Sequence, residues 1–188
     1  MAVDTDRSAL NKCDVNKTIE MGTPLTKGLG CVSDPEIGRL AGMYNFKELI
    51  DSLEENDVVL IIAGIGGGFS SGFLPELVNF LKAIRQINII LPMIPGKWEG
   101  ENRQRRAKMV LDNIEDNSVI YPLSVDDYHE DDLSVSELFA KVDEVVGDSI
   151  KQFAKQEIEH DFKITTNGFE RPLVDYKKIL SEIAFSGK

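Results

Sequence analysis

The chain is poor in the residues that metal centres and disulfide frameworks require. It has two cysteines, Cys13 and Cys31, and two histidines, His129 and His160. Two cysteines make neither a disulfide scaffold nor a zinc site. They are expected to be reduced thiols in a cytoplasmic protein. Positive charge is also scarce: 21 Lys+Arg stand against 32 Asp+Glu, a formal net charge of −11. That balance argues against a nucleic-acid binder, which must neutralise phosphates. The one dense basic cluster is Arg103, Arg105, Arg106 and Lys108. It falls on a predicted helix and reads as a solvated face. The longest nearly apolar run, residues 58–68, is about half of a membrane span and rich in glycine, so no direct membrane insertion is expected. The first residues lack the basic start and apolar stretch of a secretory signal. With 188 residues, 42% of them hydrophobic and 28% charged, the chain suits one globular domain or a large piece of one.

What is present is an alternation of strands and helices. Residues 58–63, 87–93 and 118–121 are short, apolar and mostly β-branched, as buried parallel strands are. Ile37, Leu40, Ala41, Tyr44, Leu49, Ile50 and Leu53 predict a helix of about five turns. Ser33-x-x-Glu36 has capping-box spacing at its start, with Asp34 a second cap candidate and Pro35 suited to the first turn. Further helices are predicted over about 72–85, 99–116 and 174–184. A longer one starts at a second capping box, Ser134-x-x-Glu137, and carries Leu138, Val142, Val146, Ile150 and Phe153. The order implies an α/β fold, a doubly wound and mostly parallel sheet. The acid run Asp126, Asp127, Glu130, Asp131, Asp132 reads as a solvated loop, since its spacing does not fit a calcium loop.

The most informative segment is Ala63-Gly-Ile-Gly-Gly-Gly-Phe-Ser-Ser-Gly72, which leaves a strand and enters a helix. Ligands of open α/β sheets bind at the carboxyl ends of strands. Consecutive glycines let backbone N–H groups approach a ligand closely. The following helix points its unpaired N–H groups and positive dipole end at the same place. Ser70 and Ser71 add hydroxyls, and the whole reads as a polyphosphate cradle. The alternative is a tight turn that uses glycine for close packing. A Walker loop is ruled out because no lysine follows the glycines. A nicotinamide dinucleotide fingerprint is disfavoured because Phe69 occupies the third glycine's place.

These residues resemble the tubulin/FtsZ family, on its bacterial and archaeal FtsZ side. That family carries Ala-Gly-Met-Gly-Gly-Gly-Thr-Gly-Thr-Gly here, with a proline shortly after, and Pro75 is in step. Thr26-Lys-Gly-Leu-Gly30 and Asp34-Pro-Glu-Ile-Gly-Arg39 resemble the family's Thr-Arg-Gly-Leu-Gly and Asn-Pro-Glu-Val-Gly-Arg. Ala2-Val-Asp-Thr-Asp6 resembles the end of its second strand. Pro95-Gly-Lys-Trp-Glu-Gly100 with Arg103 resembles Pro-Phe-x-Phe-Glu-Gly and its arginine.

The resemblance implies a Rossmann-like nucleotide-binding domain lacking its first strand and its carboxyl-terminal domain. Residues 1–158 would form a partial GTP-binding domain including the long helix. Residues 159–188 would hold the catalytic-loop region and the start of the next helix. GTP or GDP with Mg2+ is the implied ligand. Gly66, Gly67, Gly68, Ser70 and Ser71 fall on the phosphate loop. Glu99 and Arg103 fall on residues near the ribose, and Asp143 on the residue that meets the guanine edge. A carboxylate there accepts from guanine's N1 and N2 donors. Taken alone, Glu99 and Arg103 also suit a helix ion pair, and Asp143 a solvated position.

In such proteins hydrolysis is completed by acidic residues of the next subunit. Asp175 matches one of them, and Glu170 is a candidate for the other, because Pro172 stands where an aspartate is expected. Phe69 replaces a threonine and Leu123 an asparagine. The implied role is an assembling GTPase of cell division, in the cytoplasm or at the division site. The rival is a non-catalytic interaction module that caps or regulates a full-length polymer.

Overall fold

The computed structural model describes residues 1–53, 58–114, 119–130 and 132–159. The chain divides into two compact units, Met1–Asp127 and Tyr128–Lys188. In the first, β1 (Ala2–Asp4) is followed by α1 (Arg7–Leu10), β2 (Thr18–Glu20) and α2 (Thr23–Thr26). Then come α3 (Pro35–Tyr44), α4 (Phe46–Ile50), β3 (Val59–Gly64), α5 (Phe69–Ala83), β4 (Asn88–Ile94), α6 (Glu101–Ile114), β5 (Val119–Ile120) and β6 (Leu123–Ser124). The second unit's described part is mainly α7 (Val135–Glu159).

The architecture is α/β with parallel sheets. The three predicted strands form within a residue or so of their expected bounds, because each is an apolar run flanked by polar or glycine residues. Among the described residues β1 pairs only with β2, while β3, β4 and β5 form a second sheet in which β6 also pairs with β4. Every pairing between these strands is parallel, and an isolated bridge between Asp6 and Leu29 is antiparallel. The register of the long pair runs from Val59 beside Asn88 to Gly64 beside Met93.

Helix α5 serves both sheets. Leu74 and Val78 pack with Ala63, Ile65 and Ile90, and with Ala107, Val110 and Ile114 of α6. Phe73 belongs to another cluster with Ile19, Met21 and Leu49. Each of the larger side chains among these contributes about 1.5–3 kcal/mol by leaving water. On its other flank α5 lies against α3, and glycines make the approach possible. A Cβ at position 72 would lie 1.8 Å from the Pro35 carbonyl oxygen, and one at position 42 would lie 2.0 Å from the Phe73 ring. The helix ends in a Schellman motif: Gln86 N–H donates to the Leu81 carbonyl, Arg85 N–H to that of Lys82, and Arg85 takes φ +58°.

Three expectations are revised in detail. The five-turn helix is two helices, broken at Asn45, whose side-chain carbonyl accepts from Gly22 N–H at 2.8 Å. Its cap is Asp34 alone, which accepts from the N–H groups of Glu36 and Ile37. Ser33 is not the cap; it sits at φ +60°. The 99–116 helix is a 3-10 turn, Lys97–Glu99, followed by α6. The capping box at Ser134 forms as expected: Ser134 N–H donates to Glu137 and Glu137 N–H to Ser134 Oγ. Below it on α7, Leu138, Val142 and Val146 are buried at four-residue spacing. The expected 174–184 helix lies outside the described residues.

Candidate functional site

The turn after β3 is fixed by a small set of contacts. Gly66 has φ +97°, a conformation that favours glycine. Its N–H donates to Ser71 Oγ at 2.8 Å, across the turn. Its carbonyl accepts from Arg106 Nε at 2.7 Å. A Cβ at 66 would come 2.8 Å from the Arg103 carbonyl, so the turn rests on the start of α6. Gly68 is equally constrained: a Cβ there would lie 2.7 Å from that of Cys31 and 2.9 Å from the backbone nitrogen of Asp34. Gly67 differs, for a Cβ there would meet nothing within 4 Å. The first turn of α5 follows directly, and Gly68 at its cap supplies no side-chain hydrogen bond. Backbone N–H groups at an uncapped helix start form a place for an anion.

Three loops therefore meet here: residues 28–34, 64–71 and 95–103. The first is tied back by Thr5 Oγ1 against Cys31 Sγ at 3.2 Å and by Gly30 N–H donating to the Thr5 carbonyl. It is also strained. Val32, a β-branched residue, takes φ +47° while its side chain is 88% exposed. Strained backbone of this kind is concentrated at functional sites. Burial pushes the Cys31 thiol above its ordinary range, and the nearby carboxylates of Asp4 and Asp34 act in the same direction.

Phe69, the departure from the glycine-loop pattern, turns inward. Its ring stacks on Phe73 at a centroid distance of 5.6 Å and an interplanar angle of 18°. It packs with the β1–β2 cluster. The ring is thus part of the floor beneath the strands. Ser71 is buried and committed to Gly66 through its acceptor lone pair, while Ser70 is half-buried.

Glu99 and Arg103 are brought together. Arg103 Nη1 donates to Glu99 Oε2 at 2.5 Å, and Glu99 Oε1 accepts from Gly96 N–H at 3.0 Å. The Glu99 side chain is only 11% exposed. Gln104 Nε2 donates to the Pro95 carbonyl, which closes the loop at its base. Leu123 opens β6, paired beside Met93. Asp143 lies exposed on α7 in the second unit. Glu170, Pro172 and Asp175 lie outside the described residues.

The residue that sequence reasoning misread is Arg106. It belongs to the basic cluster taken as solvated, yet it is half-buried and holds the glycine turn. Its partner is 40 positions away, so no local pattern separates it from exposed Arg105. Within the described residues no group of three or more His, Cys, Asp or Glu is placed to hold a metal. No described helix is long and apolar enough to cross a membrane.

A parallel α/β fold whose glycine turn opens a helix beside two further loops defines a nucleotide-binding class. The GTPase domain of the Tubulin/FtsZ family matches residues 1–123, about two thirds of the chain, and the protein belongs to that family. It is 33% identical over 124 residues to the cell division protein FtsZ of Buchnera aphidicola subsp. Baizongia pistaciae, covering 64% of this chain and 32% of that protein. With FtsZ of Aquifex aeolicus it shares 26% identity over 154 residues, covering 80% of this chain and 42% of the relative. In structure it resembles an empty FtsZ dimer from M. jannaschii with a TM-score of 0.78 and 24% identity, covering 95% of this chain and 51% of that one. It also resembles a GTPγS-bound protofilament of CetZ2 from Haloferax volcanii, with a TM-score of 0.73, covering 79% of this chain and 46% of that one. The chain thus spans a third to a half of the length of these relatives.

Proposed function

We propose that the protein binds a guanine nucleotide at the turn after β3 and assembles with itself or with a full-length relative. The observation that carries this reading is the combination at residues 66–71. Gly66 and Gly68 are fixed by packing, Gly67 is open, and the helix behind them starts without a side-chain cap. The fold alone needs glycine at 66 and 68. It gives no packing reason for glycine at 67, and a backbone ligand does. Gly66, Gly67, Gly68, Ser70 and Ser71 would hold the polyphosphate, with Glu99 and Arg103 toward the ribose. The resemblance alone assigns Asp143 the guanine edge.

Mg2+ would be held chiefly by the phosphates themselves, as that ion commonly is, and would supply charge neutralisation. Hydrolysis is reserved for assembled subunits, with Asp175 and Glu170 as the acidic residues. In a net-negative, reduced-thiol protein the setting is the cytoplasm. Fluorescent GTP analogue binding tests the reading. Saturable binding to the native chain that Gly67→Ala weakens at least tenfold, with the fold intact, supports it. Absence of binding at high protein concentration overturns it.

Pro172 in the place of an expected aspartate favours a second reading, a non-catalytic module that binds a polymer of full-length relatives. Co-sedimentation with polymerising FtsZ, without turnover by this chain, separates the two.

A further inference from the structure

The carbonyl of Gly66 is held by a cation. Arg106 Nε donates to it at 2.7 Å, from 40 positions along the chain. Gly66 is buried and Arg106 half-buried. A neutral donor would satisfy that carbonyl, whereas a charged one also carries a desolvation cost in such a place. Nothing acidic offsets that cost: no carboxylate among the described residues forms an ion pair with Arg106, and its other guanidinium N–H groups have no acceptor among them. Arg103, one turn earlier on α6, differs, because Glu99 pairs with it.

The bond fixes more than one atom. A trans peptide unit is planar, so the C=O of Gly66 and the N–H of Gly67 point in opposite directions within one plane. With the carbonyl turned to α6, the Gly67 N–H is turned away from it. That N–H has no acceptor among the described residues, and neither has the N–H of buried Gly68. The space at Gly67 is open, since a Cβ there would meet nothing within 4 Å. Successive backbone N–H groups of this kind make an anion-binding concavity.

We infer that Arg106 is a positioning residue for the polyphosphate: by clamping the Gly66 carbonyl it turns the Gly67 N–H toward the ligand, and it brings to the turn a positive charge that the turn's own segment lacks. Residues 63–72 contain neither lysine nor arginine. A cation at the carbonyl end also polarises the peptide unit, so the N–H at its other end becomes a stronger donor. Arg106 acts through the main chain of the turn, 40 positions away. This inference rests on the nucleotide reading of the turn and adds to it a residue outside the glycine segment.

The test uses the full chain, a fluorescent GTP analogue and Arg106→Met, which keeps the side chain's approximate length and removes its donors and charge. In the native chain, saturating analogue should slow exchange of the Gly67 amide about tenfold. The variant should bind about tenfold more weakly, as loss of a charge-assisted hydrogen bond implies, and should show no slowing at Gly67 even when saturated. Ile65 N–H, which donates to Met93 in the sheet, should stay protected in the variant and reports that the fold is intact. If Arg106→Met does not fold, Arg106→Gln, neutral but still polar, is measured in its place with the same expected result. Native affinity in the variant would overturn the inference. So would weaker binding with Gly67 still protected at saturation, since Arg106 would then serve the fold alone. No binding by the native chain would overturn the nucleotide reading and this inference with it, so the native chain and the variant report the two failures separately.

Discussion

Gly66 N–H and Ser71 Oγ face each other across the glycine turn at 2.8 Å, both buried. This one bond sets the curvature of the loop, because it fixes the left-handed Gly66 relative to the first turn of α5. Ser71→Ala leaves a buried N–H without its acceptor. The expected loss is about 1–3 kcal/mol of stability, read from urea unfolding midpoints, together with weaker binding of a fluorescent GTP analogue.

Glycines 67 and 72 should respond in opposite ways. A methyl at 72 meets the Pro35 carbonyl oxygen at 1.8 Å, so Gly72→Ala must push α3 from α5. Overpacking of this kind costs about 1–3 kcal/mol, occasionally more. A methyl at 67 meets nothing, and Gly67→Ala should change stability by less than about 0.5 kcal/mol, as surface substitutions do. Calorimetric unfolding of both variants checks the contrast.

Val32 carries backbone strain with no compensating side-chain burial. Asparagine tolerates the left-handed region better than a β-branched residue. Val32→Asn should stabilise the chain by about 1 kcal/mol, seen as a higher denaturation midpoint. An unchanged or lower midpoint would show that the exposed valine contributes something the geometry does not reveal.

The two thiols should differ in reactivity. Cys13 is exposed, whereas Cys31 is buried against Thr5 and its thiol is pushed up by burial. The thiolate is the reactive form, so iodoacetamide should label Cys13 first. Labelling of Cys31 should need alkaline pH or unfolding. Mass spectrometry of native and urea-treated protein measures this directly, and equal native labelling at neutral pH would contradict the described packing.

The strands were readable from sequence because 58–63 and 87–93 are unbroken apolar, β-branched runs; β4 is largely buried as such a run suggests, whereas β3 is only partly so, with Ile62 exposed. The glycine turn was readable because few structures need so many glycines between a strand and a helix. Other features depend on partners far along the chain. The break at Asn45 is made by Gly22, and the role of Arg106 by Gly66. β2 is three residues long and exists only by pairing with β1. Phe69 replaces a threonine of the resembled pattern, and in the fold its ring stacks on Phe73.

The glycines between α3 and α5 have a mechanical consequence. With no side chains at 38, 42 and 72 to act as a compliant layer, the two helices meet backbone to backbone and ring to backbone, as rigid bodies. A tilt of α5 would meet α3 with little slack. Because α3 starts from the loop that ends at Asp34, and α5 from the turn at Gly68, a shift of either loop would bear on the other through close contact. The ridge of Ile37, Leu40, Met43 and Tyr44, which α3 shows to solvent, would register that displacement on the outer surface.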